Sequence, residues 1–189
     1  MANFNTGDDC LLQGRRLVLF VVAAMLGGCG FQPVYMPTAS GYAGPAVREL
    51  AAIRVNPIPD RPGQLLRQAL QERLGSDAGH VPTQYDLAVS FWVSGEGIAV
   101  QPDNTSSRVR LTASANWTLI AQDPRRTQVT NGSARAIDAF NILDQQYFAA
   151  DLSNEATQRR LASSIADEIA LQLAMYFRRT AAAAADHPA

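Results

Sequence analysis

The fold is decided by the stretch Tyr85–Ser94, whose sequence is YDLAVSFWVS. Its odd-numbered positions are aliphatic or aromatic, whereas Asp86, Ser90 and Ser94 lie between them. Side chains of a β-strand point alternately to the two faces of a sheet, so this period of two predicts a strand with one buried and one wet face. Trp92 falls on the polar face, where an exposed indole suits contact with a partner protein, because aromatic residues are enriched at interface hot spots.

The same alternation predicts further strands. Residues 109–119 read VRLTASANWTL, apolar at odd positions and polar at even ones. A tight turn at Asp123–Arg126 leads into a weaker strand over Thr127–Ala136, whose polar character indicates an edge, a bulge or a contact surface. Upstream, Val47–Ile58 predicts the first strand, because alternating aliphatic residues are stopped there by two prolines.

Helical spacing marks two other segments. The segment Gln64–Leu74 carries leucines four residues apart, with Asp60 placed to cap its start and Gly75 placed to end it. The last helix is predicted by an apolar stripe at four-residue steps. Its members are Leu161, Ile165, Ile169, Leu173 and Phe177.

The element order β-α-β-β-β-α predicts the α+β class. We expect a two-layer sandwich in which a four-stranded, mostly antiparallel sheet is covered by two helices. This single domain is expected to span residues 47–180, followed by a disordered tail of small residues at 181–189.

The N-terminal segment has the features of a lipoprotein export signal. Arg15 and Arg16 precede an apolar core, Leu17–Leu26, which is too short to span a bilayer and ends at Gly27-Gly28-Cys29. This pattern predicts a signal peptide at residues 1–28, an acylated Cys29, and a lipidated N-terminus and tether at residues 29–46. An ordinary secretory peptide, or a buried apolar segment, remains the alternative.

Composition argues against several function classes. All 16 basic residues are arginine and 17 residues are acidic, so the formal net charge of −1 offers no general attraction to nucleic acid. Acylation of Cys29 and loss of Cys10 with the signal leave no thiol for a disulfide, a metal or a nucleophile. His80 and His187 lie in a turn and in the tail, without an obvious partner. We therefore expect no enzyme, no cofactor and no metal site.

A lipid-anchored envelope enzyme, such as a peptidoglycan hydrolase, is the alternative from another class. Its chemistry would rest on carboxylates such as Glu96 or Asp103. Glu96 lies in Ser94–Gly97, whose two glycines predict a turn that ends the strand. Such loop carboxylates are usually only solvated, and a cleft with converging carboxylates would be needed to support this hypothesis.

The heptapeptide Cys29–Tyr35, CGFQPVY, resembles the Cys-Gly-Phe opening of the LptE family, especially its alphaproteobacterial members. The rest of the mature chain matches that family in length, element order and lack of catalytic groups. The resemblance implies a lipoprotein at the periplasmic face of the outer membrane, held in the membrane by acylated Cys29. Its folded domain would bind and plug the LptD β-barrel, support barrel assembly, and help to insert lipopolysaccharide into the outer membrane.

The resemblance also directs attention to arginines that could contact lipopolysaccharide. Arg108, Arg110, Arg125 and Arg126 lie at strand ends that a short hairpin could bring together, and guanidinium groups can pair bidentately with lipid phosphates. A solvated arginine patch, with Asp123 available as an ion-pair partner, is the alternative. The competing functional hypothesis is an auxiliary lipoprotein of a lipid-transporting ABC system, which can share the anchor, size and mixed fold.

Overall fold

The computed structural model describes residues 45–75, 81–100, 106–142 and 147–186. The predicted signal peptide, Cys29 and the tether up to residue 44 lie outside the described residues. The elements are, in chain order, α1 (Pro45–Ala51), β1 (Ile53–Val55), α2 (Arg61–Leu74), β2 (Tyr85–Val100), β3 (Ser106–Ala121), β4 (Gln128–Asn141) and α3 (Tyr147–Asp186).

The strands form one sheet in the order β1-β2-β3-β4. β1 runs parallel to β2, with Ile53 beside Tyr85, because the connection between them passes through α2. β2, β3 and β4 pair antiparallel as successive hairpins. The predicted α+β class, with a four-stranded and mostly antiparallel sheet, is confirmed.

Several element bounds differ from those predicted, and three of the differences have a clear physical reason. Residues 45–51 form α1 rather than the start of β1, because Ala46 and Leu50 are buried one helical turn apart. The predicted turn at Ser94–Gly97 is continuous strand, since Gly95 pairs with Leu111 across the hairpin. α3 continues to Asp186, so the prediction of a disordered tail is wrong for residues 181–186; the alanines there are the strongest helix formers.

The core lies between the helices and one face of the sheet. The stripe predicted on α3 is buried, from Leu161 to Phe177. It packs over alternate residues of the strands, among them Leu87, Leu119 and Ala134. Each fully buried Leu or Ile contributes about 1.5–3 kcal/mol of apolar transfer free energy. The helix α2 adds Leu66, Leu70 and Leu74 to the same layer.

Of the two residues predicted to cap α2, only Gly75 makes the expected hydrogen bond. Gly75 adopts a left-handed conformation with φ of 68° and donates its N–H to the carbonyl of Gln71, as a helix-ending glycine does. Asp60 stands at the N-cap position, but its side chain makes no capping hydrogen bond.

Trp117 anchors the contact between α3 and the last two strands. Its indole N–H donates to Oε1 of Gln172 at 3.1 Å, and Nε2 of Gln172 donates to the carbonyl of Ser133 at 3.0 Å. The indole lies directly over Gly132, where an added Cβ would be 2.6 Å from the ring. The absence of a side chain at Gly132 is therefore required for this packing.

A buried carboxylate, Asp86, joins three elements at the opposite corner of the sheet. Its side chain is 1% exposed and accepts hydrogen bonds from Arg54 on β1 at 2.9 Å, from Gln122 at 3.0 Å and from Arg126 at 2.6 Å. Burial by itself raises the pKa of Asp86, but these three donors outweigh it and hold that pKa below its usual range. We call this arrangement the Asp86 corner.

We expect Gly132→Ala to lower the free energy of unfolding by about 1–3 kcal/mol, the usual cost of overpacking a core. The cause is the clash of the new methyl group with the Trp117 ring. Urea denaturation followed by tryptophan fluorescence measures the effect. The neighbouring Ser133→Ala, which keeps the carbonyl bonded to Gln172, should change stability by less than about 0.5 kcal/mol. Equal effects of the two substitutions would contradict this packing argument.

We expect Asp86→Asn to destabilise the protein by about 2–3 kcal/mol near neutral pH, because hydrogen bonds to a charged group are lost. Since folding lowers the pKa of Asp86, its stabilising contribution is complete above about pH 4 and is lost as the pH falls through the lower folded-state value. The stability difference between the wild type and the variant should therefore shrink on acidification. Asp151→Asn, at an exposed position, is the matched control. A difference that does not vary with pH would exclude the charged form of Asp86 as its source.

Candidate functional site

One face of the sheet carries no helix among the described residues, and we call it the open face. The core residues occupy odd positions of β2 and β3, so the even positions of these strands point the other way. The open face is mainly small and polar. Its central side chains are Ser90, Trp92 and Ser94 on β2, Thr112, Ser114, Asn116 and Thr118 on β3, and Asn131, Ser133, Arg135 and Ile137 on β4.

Two large apolar side chains stand out on the open face. Trp92 is 49% exposed and Ile137 is 59% exposed. Trp92 is in register with Ser114, which is in register with Arg135, and Ile137 lies in the next row. The small side chains of β3 between them leave both apolar groups accessible. The prediction that Trp92 lies exposed on the polar face is confirmed, whereas its contact with a partner stays a prediction.

The structure does not bring the four predicted arginines together. Arg108 and Arg110 lie near the start of β3, whereas Arg125 and Arg126 lie in the turn after its end. A strand rises about 3.4 Å per residue, so the two pairs are separated by roughly 40 Å. The expected cluster is therefore wrong, because β3 is a long strand with the two pairs at its opposite ends.

The turn arginine Arg126 already has a structural partner. It donates to Asp86, and its φ of 53° places it in the left-handed region, which is unusual for a residue with a side chain. Asp123 was expected as an ion-pair partner for the arginines, but it accepts hydrogen bonds from the backbone N–H and the hydroxyl of Thr127. Those bonds lower the pKa of Asp123. The side chain of Arg125 remains exposed beside them.

The other end of the sheet carries the second arginine pair. Arg110 lies 3.8 Å from the carboxylate of Glu96, and both side chains are exposed. Arg108 is in register with Asn141. Burial raises the pKa of Asp138, but hydrogen bonds from Arg160 and the Ala139 backbone, with a smaller contribution from the charge of Arg108, hold that pKa below its usual range. Glu96 is thus a paired surface carboxylate on a strand rather than a loop residue in a cleft. Asp103, its predicted companion, lies outside the described residues.

A shallow hollow of about 320 Å³ opens where α1 and the end of α3 meet β2. It is lined by aromatic rings, and the centroids of Tyr85 and Phe177 are 5.4 Å apart. Burial, followed by the nearby Glu49 carboxylate, raises the pKa of Tyr85. Within the described part of the chain, no group of His, Cys, Asp and Glu side chains could hold a metal ion. No helix there combines the length and apolar composition needed to cross a bilayer.

Sequence reasoning missed the Asp86 corner and Ile137. Asp86 sits at a polar position of its strand, and its partners Arg54 and Arg126 are 32 and 40 residues away in the chain, so no local pattern marks them. Ile137 lies beyond the predicted end of the last strand at Ala136. The regular alternation through β4 would have placed it on the open face had that strand been extended.

Comparison with known proteins gives a family and several related folds. The family model LptE, described as lipopolysaccharide-assembly, matches residues 50–173. A crystal structure described as that of a lipoprotein from Caulobacter crescentus is 26% identical, with a TM-score of 0.57, and the match covers 71% of this chain and 98% of that one. Rare lipoprotein B from Shewanella oneidensis is 11% identical over 71% of this chain and 97% of its own, with a TM-score of 0.48. No curated protein matches the sequence.

The family match runs from α1 into α3 and so includes the whole sheet. It covers more than half of the chain. The resemblance first suggested by residues 29–35 is therefore confirmed, and the protein belongs to the LptE family of lipopolysaccharide-assembly lipoproteins.

Proposed function

We propose that this protein is an outer-membrane lipoprotein that binds inside the LptD β-barrel as a plug, supports assembly of that barrel and so promotes insertion of lipopolysaccharide into the outer membrane. The observation that carries the proposal is the LptE family match over residues 50–173, the segment that forms the folded domain. The mechanism is binding rather than chemistry.

The open face supports this role. Its small hydroxyl and amide side chains suit a hydrated lumen, where each can exchange a water for a hydrogen bond to a polar wall. Trp92 and Ile137 supply apolar area within that polar surface. Binding energy at protein interfaces is concentrated in a few such anchors surrounded by polar contacts. We assign the barrel contact to the open face, with Trp92 as its principal anchor.

The charged end of β3 is our proposed contact for lipopolysaccharide phosphates. Arg108 and Arg110 are exposed there. The guanidinium group of Arg110 lies 3.8 Å from the carboxylate of Glu96, which is a long ion pair between two exposed side chains. Surface ion pairs of this kind contribute little and exchange readily for another anion. Of the turn arginines, Arg125 is exposed and can contact a phosphate only at a separate position, whereas Arg126 is held by the Asp86 corner.

Acylated Cys29 is the proposed anchor. Two or more acyl chains fix a protein firmly to a membrane, whereas one chain gives only marginal binding. An anchor in the periplasmic leaflet of the outer membrane would keep the domain beside the mouth of the barrel and raise its local concentration there.

The first expected outcome concerns the partner. Full-length lipidated protein, purified from its own envelope in mild detergent, should retain a large β-barrel protein in near-stoichiometric amount, identified by mass spectrometry. Trp92→Ala should weaken this retention about tenfold or more, the usual effect of removing an interface hot spot. The matched control is Leu171→Ala, which removes an exposed apolar side chain from α3 instead.

Two results would contradict the partner assignment. Recovery of inner-membrane transporter subunits in place of the barrel would support the auxiliary role in an ABC system. Equal losses from Trp92→Ala and Leu171→Ala would show that the open face does not carry the contact.

The second expected outcome concerns the anchor. Cys29→Ser should abolish labelling by a radioactive fatty acid and release the protein from the outer-membrane fraction on density-gradient separation. Cys10→Ser should leave both properties unchanged, because residue 10 precedes the proposed cleavage position. Retained labelling of Cys29→Ser would exclude this residue as the acylated position.

A further inference from the structure

The hollow beside α1 and the end of α3 combines an aromatic wall with one acidic group. Its volume is about 320 Å³, and its seven described lining residues comprise three aromatic side chains, two aliphatic ones, a threonine and Glu49. The rings of Tyr85 and Tyr176 each lie 5.4 Å from the ring of Phe177, measured between centroids. The three rings therefore form one continuous wall, and no described residue of the lining carries a positive charge.

The carboxylate of Glu49 has an oxygen without a partner. Its Oε2 atom is buried and accepts no hydrogen bond, and none of the ion pairs among the described residues includes Glu49. The side chain does act on Tyr85, because burial and then this carboxylate raise the pKa of the Tyr85 hydroxyl. A buried acceptor without a donor costs folding free energy and calls for an explanation. A ligand that supplies both a donor and a positive charge provides one.

The ligand that suits this lining is an organic cation rather than a metal ion. A metal site needs several converging ligands, and no such group of His, Cys, Asp and Glu side chains exists in the part of the chain that the structure describes. The faces of aromatic rings, by contrast, attract ammonium and guanidinium groups electrostatically. Rotation about the terminal side-chain bond of Glu49 exchanges its two oxygens, so the unpaired oxygen can turn towards such a group.

We propose that the hollow receives a lysine or arginine side chain of a partner protein. The apolar stem of that side chain packs against the aromatic and aliphatic lining, and its charged end pairs with the carboxylate of Glu49. A volume of about 320 Å³ is at the low end for ligand sites, which suits one side chain better than a longer segment. Its insertion buries the stem and gives the carboxylate its missing partner.

Charge complementarity selects this occupant over two others. The segment of this chain that adjoins α1, residues 29–44, contains no lysine, arginine or histidine, so it cannot supply the cation. An amine-bearing phospholipid headgroup carries a phosphate next to its ammonium group, and the described lining offers no basic side chain to pair with that phosphate. A side chain with one positive charge and an apolar stem matches the lining without a surplus charge.

The identity of the partner rests on the proposed function. Tyr85 occupies an odd position of β2, so the hollow lies on the helix side of the sheet, opposite the open face. A barrel that encloses the domain can contact both sides at once. We therefore assign the basic side chain to the LptD barrel, where it forms a second anchor besides the contact with Trp92.

A titration of the full-length lipidated protein in detergent micelles tests the chemistry of the hollow. The probe is N-acetyl-arginine amide, which presents the side chain without a partner protein, and NMR follows the ring resonances of Tyr176 and Phe177. We expect a saturable shift of these resonances. Glu49→Gln, which removes the charge and keeps the size, should weaken binding at least about tenfold. Glu72→Gln is the matched control, because it removes an exposed carboxylate on α2.

Three results of the titration would overturn the proposal. They are the absence of a saturable shift, equal binding by the wild type and Glu49→Gln, and binding of glycerophosphoethanolamine as tight as that of the arginine probe. The last result would assign the hollow to a phospholipid headgroup. Glu49→Gln should also leave the urea midpoint of unfolding unchanged or raised, because it removes an unpaired, partly buried charge. A lowered midpoint would show that Glu49 serves the fold instead.

Retention of the barrel tests the partner separately. In purification from the envelope in mild detergent, Glu49→Gln should retain about tenfold less barrel than the wild type, whereas Glu72→Gln should retain the wild-type amount. Equal retention by Glu49→Gln and the wild type would overturn the assignment of the basic side chain to the barrel. Failure of the wild type itself to retain a barrel would contradict the proposed function, and the titration would still decide whether the hollow takes a basic side chain.

Discussion

The packing of α3 against one face of the sheet is the contact on which the rest of the structure depends. The apolar stripe from Leu161 to Phe177 fits over the odd-numbered residues of β2 and β3, and α2 lies in the same layer. Because side chains alternate across a strand, burying one set leaves the other set on the opposite face. No helix covers that face among the described residues, and its serines, threonines and asparagines can keep their polar groups in water. The one-sided core thus stabilises the domain and leaves the polar face of the sheet exposed among the described residues.

The Asp86 corner shows how a charge is accommodated on this open face. Asp86 stands on the polar side of β2, yet Arg54 from β1 and Arg126 from the β3–β4 turn close over it. Both arginine side chains are more than half exposed, whereas the carboxylate that they contact is buried. The left-handed backbone of Arg126 carries a conformational cost that is offset by its hydrogen bond to the buried carboxylate. This end of the sheet is fixed by ionic contacts, whereas the other end exposes Arg108 and Glu96.

The periodicity of the sequence predicted those elements whose buried side chains recur at a regular spacing within one strand or helix. The alternation in Tyr85–Ser94 and the four-residue period of α3 each specify which side chains are buried, so the class and the main elements followed directly. The turn predicted at Gly95 was wrong. The preference of glycine for turns is overridden there, because the neighbouring strand β3 supplies backbone hydrogen bonds along the whole segment. The predicted arginine cluster was wrong because the length of β3 was underestimated. The prediction therefore placed residues from opposite ends of that strand close together. Asp86 was missed because its partners come from other elements.

Within the described residues, the two edges of the sheet differ in how their backbone groups are satisfied. Gln172 satisfies the β4 edge from within the chain, and it can do so only because α3 crosses that strand. No comparable element among the described residues lies along the outer half of β2, since the segment after β1 continues through Pro57 and Pro59 into α2. Among the described residues, the Ser133 carbonyl at the β4 edge thus has a partner, whereas the outward backbone groups of Val89, Phe91 and Val93 at the β2 edge have none. Trp92 is exposed beside that edge, so a protein that bound there would cover apolar surface and backbone polar groups in a single step.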